Sequence, residues 1–305
     1  MSRTDSQTTA SPLAEFRLTR AVASQWLVVS VVGFFAFAYT FGRVLAFARG
    51  RPLEPIVISP PDPASALGWI VVSVALVGTV VILHELLHGV AMRRYGGTPS
   101  YGVGVSQFVF PAAYATSGNA EYTRTQLIVV LIAPFVGLTG IGLALMAVYP
   151  TPLVLVVLAV NAAGSVGDLW MASILAQYPD GAQVVGLPDD ERGFALAAPN
   201  GDSVDRLPRT VTLSRLVVGS IGTLVVLVAS VLLVVFGSLA FGTGTVVIGD
   251  PTGRWFLVRH ELRSGVAHLE VGASFVVGTS AVAGFVWALL AGILERTSDR
   301  LGPSE

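Results

Sequence analysis

The sequence predicts an all-α polytopic membrane protein with about six transmembrane helices and short β-hairpin-like segments at the membrane faces. Hydrophobic residues make up 53% of the 305 residues and charged residues 12%, and the mean hydropathy is +0.73. A soluble domain carries roughly 25% charged residues. The apolar residues are grouped into runs of about 20 or more, the length at which a helix crosses a bilayer. Both observations indicate an integral membrane protein.

Six apolar runs are bounded by clusters of Arg, Pro or Gly, which favour loops. They cover residues 22–46, 66–92, 127–148, 153–177, 216–241 and 271–294. Pro150 and Pro152 in "YPTP" separate the third run from the fourth, because proline ends one helix and can begin the next. We expect a single transmembrane domain over residues 22–295, a disordered tail over residues 1–21 and a short tail over residues 296–305.

The charged residues predict the orientation of the chain. Arg3, Arg17 and Arg20 precede the first run, so the positive-inside rule predicts a cytoplasmic N-terminus. Six crossings return the C-terminus to the cytoplasm, as in a multi-pass protein of the cell membrane. The net charge is −1 and no dense basic cluster is present, which argues against nucleic acid as a partner. Because the chain has no cysteine, any metal must be held by histidine and carboxylate.

Three segments between the runs have the pattern of short strands rather than helices. In "SYGVGVSQFVF", Tyr101, Val103 and Val105 alternate with small or polar residues, which favours an extended chain. "QVVGLPDDERGFAL" and "TVVIGDPTGRWFLV" each place two short apolar runs around a turn-rich centre. We expect hairpins or edge strands at the membrane faces.

The second run ends in "HELLH", which contains His84, Glu85 and His88. In a helix, the four-residue step returns the second imidazole to within about 40° of the first, so both can ligate one ion. Glu85 can flank that ion and take a proton from a water molecule, as in zinc hydrolases. The alternative is a set of interfacial polar residues, but the chain has only four histidines and polar groups within spans are usually functional. In "RHELRSGVAH", Ser264 occupies the second histidine position, which predicts that His260 is a solvated loop residue.

A third metal ligand is expected from the fourth run, because Glu85 and Asp168 are the carboxylates well inside the apolar runs. An isolated aspartate at that depth costs about 3 kcal/mol, so Asp168 needs a partner. The second and fourth runs cross in the same direction, with His84 and Asp168 roughly 13 and 15 Å from their inner ends. The alternative is that Asp168 pairs with Arg124 or a tyrosine, and that the metal uses water or Glu121.

Asn161 lies seven residues before Asp168, nearly two helical turns, so we expect it to share the same face. Asn161 would then hydrogen-bond a substrate backbone or orient a ligand. An equally good interpretation is an interhelical hydrogen bond in a seam of small residues.

A family resemblance is carried by "HELLHGVAMRRYGG", the Gly-rich extended stretch after it, "LIAPFVGL" and the "N…GD" span. Together these motifs, over about residues 80–175, resemble the putative zincin peptidase family of small prokaryotic membrane proteins. More distantly they are similar to the site-2 proteases, which cut transmembrane substrates within the bilayer. The resemblance implies a Zn²⁺-dependent peptidase.

The resulting hypothesis is a zinc-dependent, membrane-embedded metallopeptidase that hydrolyses peptide bonds at or within the bilayer near the cytoplasmic face. His84, His88 and Asp168 hold Zn²⁺, and Glu85 is the general base. The substrate is a membrane protein or peptide, which binds by β-augmentation to the segment that contains Val103 and Val105. The alternatives are a non-proteolytic metal-dependent hydrolase of a lipid or small amide, and a non-enzymatic metal-binding membrane protein.

Overall fold

The computed structural model describes residues 14–53, 56–58, 63–105, 111–118, 122–185, 193–197, 206–242, 244–263 and 266–301. Within these residues the chain forms seven helices. They are α1 (Arg20–Ala48), α2 (Pro63–Arg94), α3 (Arg124–Val148), α4 (Pro152–Gly164), α5 (Val166–Leu175), α6 (Pro208–Phe241) and α7 (Ala273–Leu301). The expected separation at "YPTP" is confirmed, because α3 ends at Val148 and α4 begins at Pro152.

Ten short strands accompany the helices in the described residues. They are β1 (Ala14–Arg17), β2 (Ile56–Ile58), β3 (Thr98–Val105), β4 (Pro111–Gly118), β5 (Tyr122–Thr123), β6 (Gln183–Val185), β7 (Gly193–Ala197), β8 (Val246–Gly249), β9 (Phe256–Arg263) and β10 (Val266–Val271). Antiparallel pairing gives two four-stranded sheets, in the orders β1-β7-β6-β5 and β2-β10-β9-β8, and the two-stranded hairpin β3-β4. The predicted fold class is confirmed, with more sheet than the isolated hairpins that the sequence indicated.

Within the described residues, five helices are long and apolar enough to cross a membrane, and the number is six if α4 and α5, which meet at a 44° bend, count as one span. Only 6% of the most apolar stretch of α2 is buried, so most of its side chains are available to lipid. The fourth span was expected to be one continuous helix, and that expectation is wrong. Gly164 and Ser165, both poor helix formers, mark the break, and Ser165 adopts φ −76° and ψ 0°.

Two compact units divide the described chain. The first comprises the described residues within 14–28, 81–139 and 164–210, and the second comprises those within 29–80, 140–163 and 211–301. The first unit contains the sheet β1-β7-β6-β5 and the hairpin β3-β4. Its core includes Leu131, Leu175 and Leu196, of which the last two are fully buried.

Local signals set the ends of two helices in the first unit. Helix α2 ends at "YGG", where Gly96 has a φ of +81° and the Gly97 N–H donates to the Met92 carbonyl. Helix α3 begins with a capping box. The Thr123 N–H donates to the Gln126 side chain over 3.0 Å, and the Gln126 N–H donates to the Thr123 hydroxyl over 3.3 Å.

Arg124 then connects the start of α3 to the end of α5. Its guanidinium donates to the carbonyls of Leu175 (2.9 Å) and Ala176 (3.2 Å) and forms an ion pair with Asp180. A cation at a helix C-terminus satisfies carbonyls that have no partner within the helix. Arg124 is therefore committed to α5 and Asp180, rather than to Asp168 as the alternative interpretation required.

The second unit contains the sheet β2-β10-β9-β8 and a core around Val231, Val235 and Val258. Helices α6 and α7 approach closely at glycines, since an added Cβ at Gly219 would meet Trp287 and one at Gly284 would meet the Ser220 side chain. Small residues at such crossings allow transmembrane helices to pack without a strong hydrophobic driving force.

His260 is a correction to the sequence interpretation, which predicted a solvated loop residue. It lies on β9, is fully buried, and its Nδ1 is 3.1 Å from the Ser238 hydroxyl of α6. The alternation of β9 directs His260 and Val258 to the same buried face. His260 is therefore buried because it lies on the apolar face of β9.

The expected hairpin in "TVVIGDPTGRWFLV" is confirmed as β8 and β9. In its turn, the Thr252 N–H donates to Asp250 Oδ1 over 2.9 Å. Hydrogen bonds from the backbone N–H groups of Thr252 and Gly253 lower the pKa of the Asp250 carboxyl. This is the Asx-type turn that aspartate favours.

The predicted tails are too long at both ends. Residues 14–17 form β1, which pairs with β7, and α1 begins at Arg20, so the disordered tail does not extend to residue 21. Helix α7 continues to Leu301 beyond the expected end at residue 295. Residues 1–13, including Arg3, lie outside the described residues, as do residues 106–110 and 186–192 of the predicted extended segments.

Candidate metal centre

The two motif histidines lie on one side of α2, as the four-residue spacing predicts. Helix α2 is continuous over Pro63–Arg94, and the rings of His84 and His88 have centroids 4.9 Å apart with planes at 76°. Both residues are buried, at 8% and 7% exposure. Two imidazoles are therefore close together near the end of a long apolar run.

Asp168 lies against both imidazoles. Its Oδ2 is 3.1 Å from His84 Nε2 and 3.4 Å from His88 Nε2. The break in the fourth span explains part of this placement, because Asp168 falls in the first turn of α5. The positive end of a helix dipole stabilises a carboxylate there. The proximity expected between Asp168 and the histidines is present, whereas Glu121, the other candidate, lies outside the described residues.

The geometry of the three side chains fits a zinc ion. Ligands bound tetrahedrally at about 2.0–2.2 Å from zinc are about 3.3 Å from one another. The oxygen-to-nitrogen distances of 3.1 and 3.4 Å match that separation, and the three ligand atoms lie within 4.8 Å of one another. In the part of the chain that the structure describes, this is the one group of three such side chains with the required spacing. Three protein ligands leave the fourth position that catalytic zinc sites keep open.

The orientation of His88 is set by a backbone carbonyl. His88 Nδ1 is 2.8 Å from the Val130 carbonyl oxygen of α3, and both residues are buried. Because a carbonyl can only accept, Nδ1 carries the hydrogen and donates it. Nε2 then carries no hydrogen and is left to bind a metal together with Asp168, and donation of the other ring N–H to a backbone carbonyl is the usual arrangement of metal-binding histidines.

Glu85 is half-buried and lies beside the hairpin β3-β4. The backbone N–H of Ala115 on β4 lies close to its carboxylate. The other strand contacts the same turn of α2, since a Cβ added at Gly89 would meet the Tyr101 hydroxyl. The hairpin therefore lies against the motif turn, and Gly89 makes the close approach possible.

The substrate-binding role predicted for Val103 and Val105 on β3 stays a prediction. Val103 is 74% exposed, and the side chain of Val105 lies outside the described residues. The residue that contacts Glu85 is Ala115, in the segment "PAAYATSG". Its alternation of small and larger residues is a strand signal, but only the hairpin pairing brings it beside α2.

Asn161 is 1% exposed on α4, in the second unit. Its predicted shared face with Asp168 assumed one continuous helix. The chain bends at Ser165 between the two residues, so that assumption is wrong. The role of Asn161 in binding substrate or orienting a ligand stays a prediction.

Fold and site together define a polytopic helical membrane protein with a group of two histidines and one carboxylate suited to a metal ion. The sequence profile of the family described as "Putative zincin peptidase" matches residues 77–183. That stretch contains the motif, the hairpin, α3, α4 and α5, and the match confirms the resemblance predicted from the sequence. No curated protein and no solved structure matches the chain. The more distant similarity to site-2 proteases stays a prediction.

Proposed function

We propose that the chain is a zinc-dependent metallopeptidase that hydrolyses peptide bonds at or within the bilayer, near the cytoplasmic face. The observation that carries the proposal is the meeting of Asp168 with both imidazoles of "HELLH". Glu85 lies one residue from His84 and contacts a sheet edge. A site built only to bind a metal would not need this additional carboxylate.

Each side chain has a distinct role in the proposed reaction. His84, His88 and Asp168 would hold the ion, and zinc, when bound, supplies a Lewis acid that polarises a carbonyl and lowers the pKa of water. Glu85 takes the proton from the attacking water and passes it to the leaving amine nitrogen. The Ala115 N–H orients the Glu85 carboxylate for both transfers.

A peptide substrate in lipid must leave its helical form before cleavage and then needs partners for its backbone groups. An exposed strand edge supplies such partners by β-augmentation. Within the described residues β3-β4 is a two-stranded sheet, so each strand has an outer edge. The proposal requires that one of these edges faces Glu85.

The hairpin register supports β4 as the edge that faces Glu85. Ala115 is opposite Tyr101, and its N–H is directed to Glu85 rather than across the hairpin. In an antiparallel ladder the residues two positions away have the same direction, so Ala113 and Ser117 also direct their backbone groups outward. We therefore assign substrate docking to β4, in place of the predicted contact through Val103 and Val105.

The prolines of the hairpin support this register. Pro99 is opposite Ser117 and Pro111 is opposite Val105, which are positions of the same parity as Ala115. Proline has no N–H and is tolerated where that group is not used in the ladder. Both prolines therefore lie at positions where the missing donor costs no hydrogen bond between the strands.

The first experiment measures zinc content and cleavage of a membrane peptide by the purified chain in detergent. Glu85→Gln should keep about one zinc per chain and lose turnover, because the base is removed and the ligands remain. Glu295→Gln, an exposed position paired with Arg215, is the matched control and should retain activity. Cleavage by Glu85→Gln at a rate comparable with that of the unmodified chain would contradict the assignment of the base.

A second experiment separates a peptidase from a hydrolase of lipids or small amides. Ala113→Pro removes an outward N–H of β4 and leaves the pairing with β3 intact. Peptide cleavage should fall about tenfold, the effect of about 1.4 kcal/mol in binding, while a small amide should react at an unchanged rate. Ala113→Val is the control that keeps the N–H. Equal loss on both substrates would reject edge docking.

A further inference from the structure

Helix α3 carries a proline in its interior, Pro134 of "LIAPFVGL". In a regular α-helix, the N–H of residue 134 would donate to the carbonyl of residue 130. Proline has no N–H, and its ring also pushes against the carbonyl four residues earlier. Val130 is 1% exposed, so its carbonyl is a buried acceptor that has lost its helical donor. Such a group needs another partner.

The partner is the proposed metal ligand His88. The Val130 carbonyl oxygen lies 2.8 Å from His88 Nδ1, on another helix and 42 residues away in the chain. The same imidazole directs Nε2 to Asp168 at 3.4 Å. Because Pro134 has no N–H to offer, the Val130 carbonyl accepts from His88 instead. This hydrogen bond determines which nitrogen of His88 carries the proton.

Any other residue at position 134 would restore the competing donor. Its N–H would donate to the Val130 carbonyl within the helix, and α3 would become straighter and more regular. The carbonyl would then be shared between the helix and His88, or turned away from the imidazole. His88 would lose part of the interaction that fixes its tautomer and ring angle.

We propose that Pro134 is a positioning residue for the metal centre, because its missing N–H leaves the Val130 carbonyl to His88. The inference rests on the proposed function in that it takes His88 to be a zinc ligand. Removal of such an outer partner costs roughly 10–100-fold in metal affinity. Pro134 itself need not touch the ion or the substrate.

The test uses the full chain in detergent and compares zinc dissociation constants by competition with a chelator. Pro134→Ala restores the N–H and should weaken zinc binding about 10–100-fold. Alanine is a better helix former than proline, so the thermal midpoint of the metal-free variant should stay the same or rise. Pro152→Ala is the matched control. Pro152 begins α4, where a helical N–H has no intrahelical acceptor, and zinc affinity should not change.

A second variant separates the missing N–H from the proline ring. An α-hydroxy acid introduced at position 134 by nonsense suppression has neither a ring nor an N–H. It should keep zinc affinity within about twofold of the unmodified chain, a difference of about 0.4 kcal/mol. Weak binding by both this variant and Pro134→Ala would show that the ring is responsible and would overturn the hydrogen-bond argument.

The tautomer of His88 provides a readout that needs no metal. In the metal-free chain with ¹⁵N-labelled histidine, His88 should be protonated at Nδ1, and Pro134→Ala should give a mixture of tautomers. A merely structural proline would leave this spectrum unchanged. If the unmodified chain binds zinc and Pro134→Ala binds it equally well, the inference is wrong and the proposed function stands. If the unmodified chain binds no zinc, the proposed function fails, and the tautomer spectrum alone decides whether Pro134 orients His88.

Discussion

The dipeptide His-Glu occurs twice in buried parts of this chain, at His84-Glu85 in α2 and at His260-Glu261 in β9. In the helix, consecutive side chains are about 100° apart, so Glu85 lies beside the face that carries both imidazoles. In the strand, consecutive side chains point to opposite faces. His260 is fully buried, whereas Glu261 is on the other face, opposite His268 of β10. The same two residues therefore give a flanked metal site in one element and a packed histidine in the other.

The partners of the two histidines in α2 also differ from those of His260 in β9. His84 and His88 share a carboxylate, and His88 has a second, buried carbonyl partner. His260 meets the Ser238 hydroxyl, and its Nε2 has no hydrogen-bond partner among the described residues. A buried imidazole is suited to a metal when an acceptor holds one ring N–H and the other nitrogen lies beside a further ligand such as a carboxylate. This comparison leads to four predictions.

The largest effect is expected from removal of the carboxylate. Asp168→Ala should reduce zinc from about one ion per chain to near zero and abolish peptide cleavage, because two imidazoles alone leave the site short of a ligand. Glu261→Gln, in the other His-Glu pair, should change neither. Zinc content is measured by elemental analysis after dialysis. An Asp168→Ala chain with unchanged zinc affinity would show that another group is the third ligand.

Zinc should stabilise the chain through the site that contains His84 and His88, and not through His260. At free zinc 100-fold above the dissociation constant, binding to the folded state contributes about 2.7 kcal/mol. The thermal midpoint in detergent should rise with zinc and return after addition of a chelator. His88→Ala should remove this response, while the response of Ser238→Ala should match that of the unmodified chain. A response that survives in His88→Ala would place the stabilising zinc elsewhere.

At the other His-Glu pair, in β9, Ser238→Ala tests whether His260 has only a structural role. Loss of the hydroxyl leaves His260 Nδ1 buried without that hydrogen bond, at a cost of about 1–3 kcal/mol in stability. The thermal midpoint should fall, and zinc content and peptide cleavage should not change. Ser230→Ala, a half-buried serine on the same helix, is the control. A loss of zinc in Ser238→Ala would contradict the separation of the two histidine environments.

The smallest effect concerns the turn between β8 and β9, in the sheet that holds His260. The lowered pKa of Asp250 means that its carboxylate contributes stability above the ordinary pKa of aspartate, and this contribution is lost as the pH falls through the lower folded value. The protection factors of the β8–β9 amides, corrected for the pH dependence of intrinsic exchange, should therefore fall below about pH 4. Asp250→Asn should reduce this acid sensitivity. An identical pH profile in Asp250→Asn would assign the sensitivity to another group.

Much of the helical architecture is predictable because its causes are local. The apolar runs specify the spans, "YPTP" separates α3 from α4, and the four-residue step places His84 and His88 on one side of α2. These features depend on residues within one or two turns of each other. The expected proximity of Asp168 also followed from the sequence, through the rarity of carboxylates in the apolar runs and the matched depths of two spans.

Tertiary structure alone decided which groups complete the site. The hydrogen bond from His88 to Val130 spans 42 residues and that between His84 and Asp168 spans 84, so neither produces a periodic signal in the sequence. The same holds for Ala115, whose N–H reaches Glu85 only because the hairpin packs on α2. Burial of His260 depends on which face of β9 meets α6. Periodicity specifies how a side chain points from its own element, whereas its partner is set by the packing of elements that are distant in the chain.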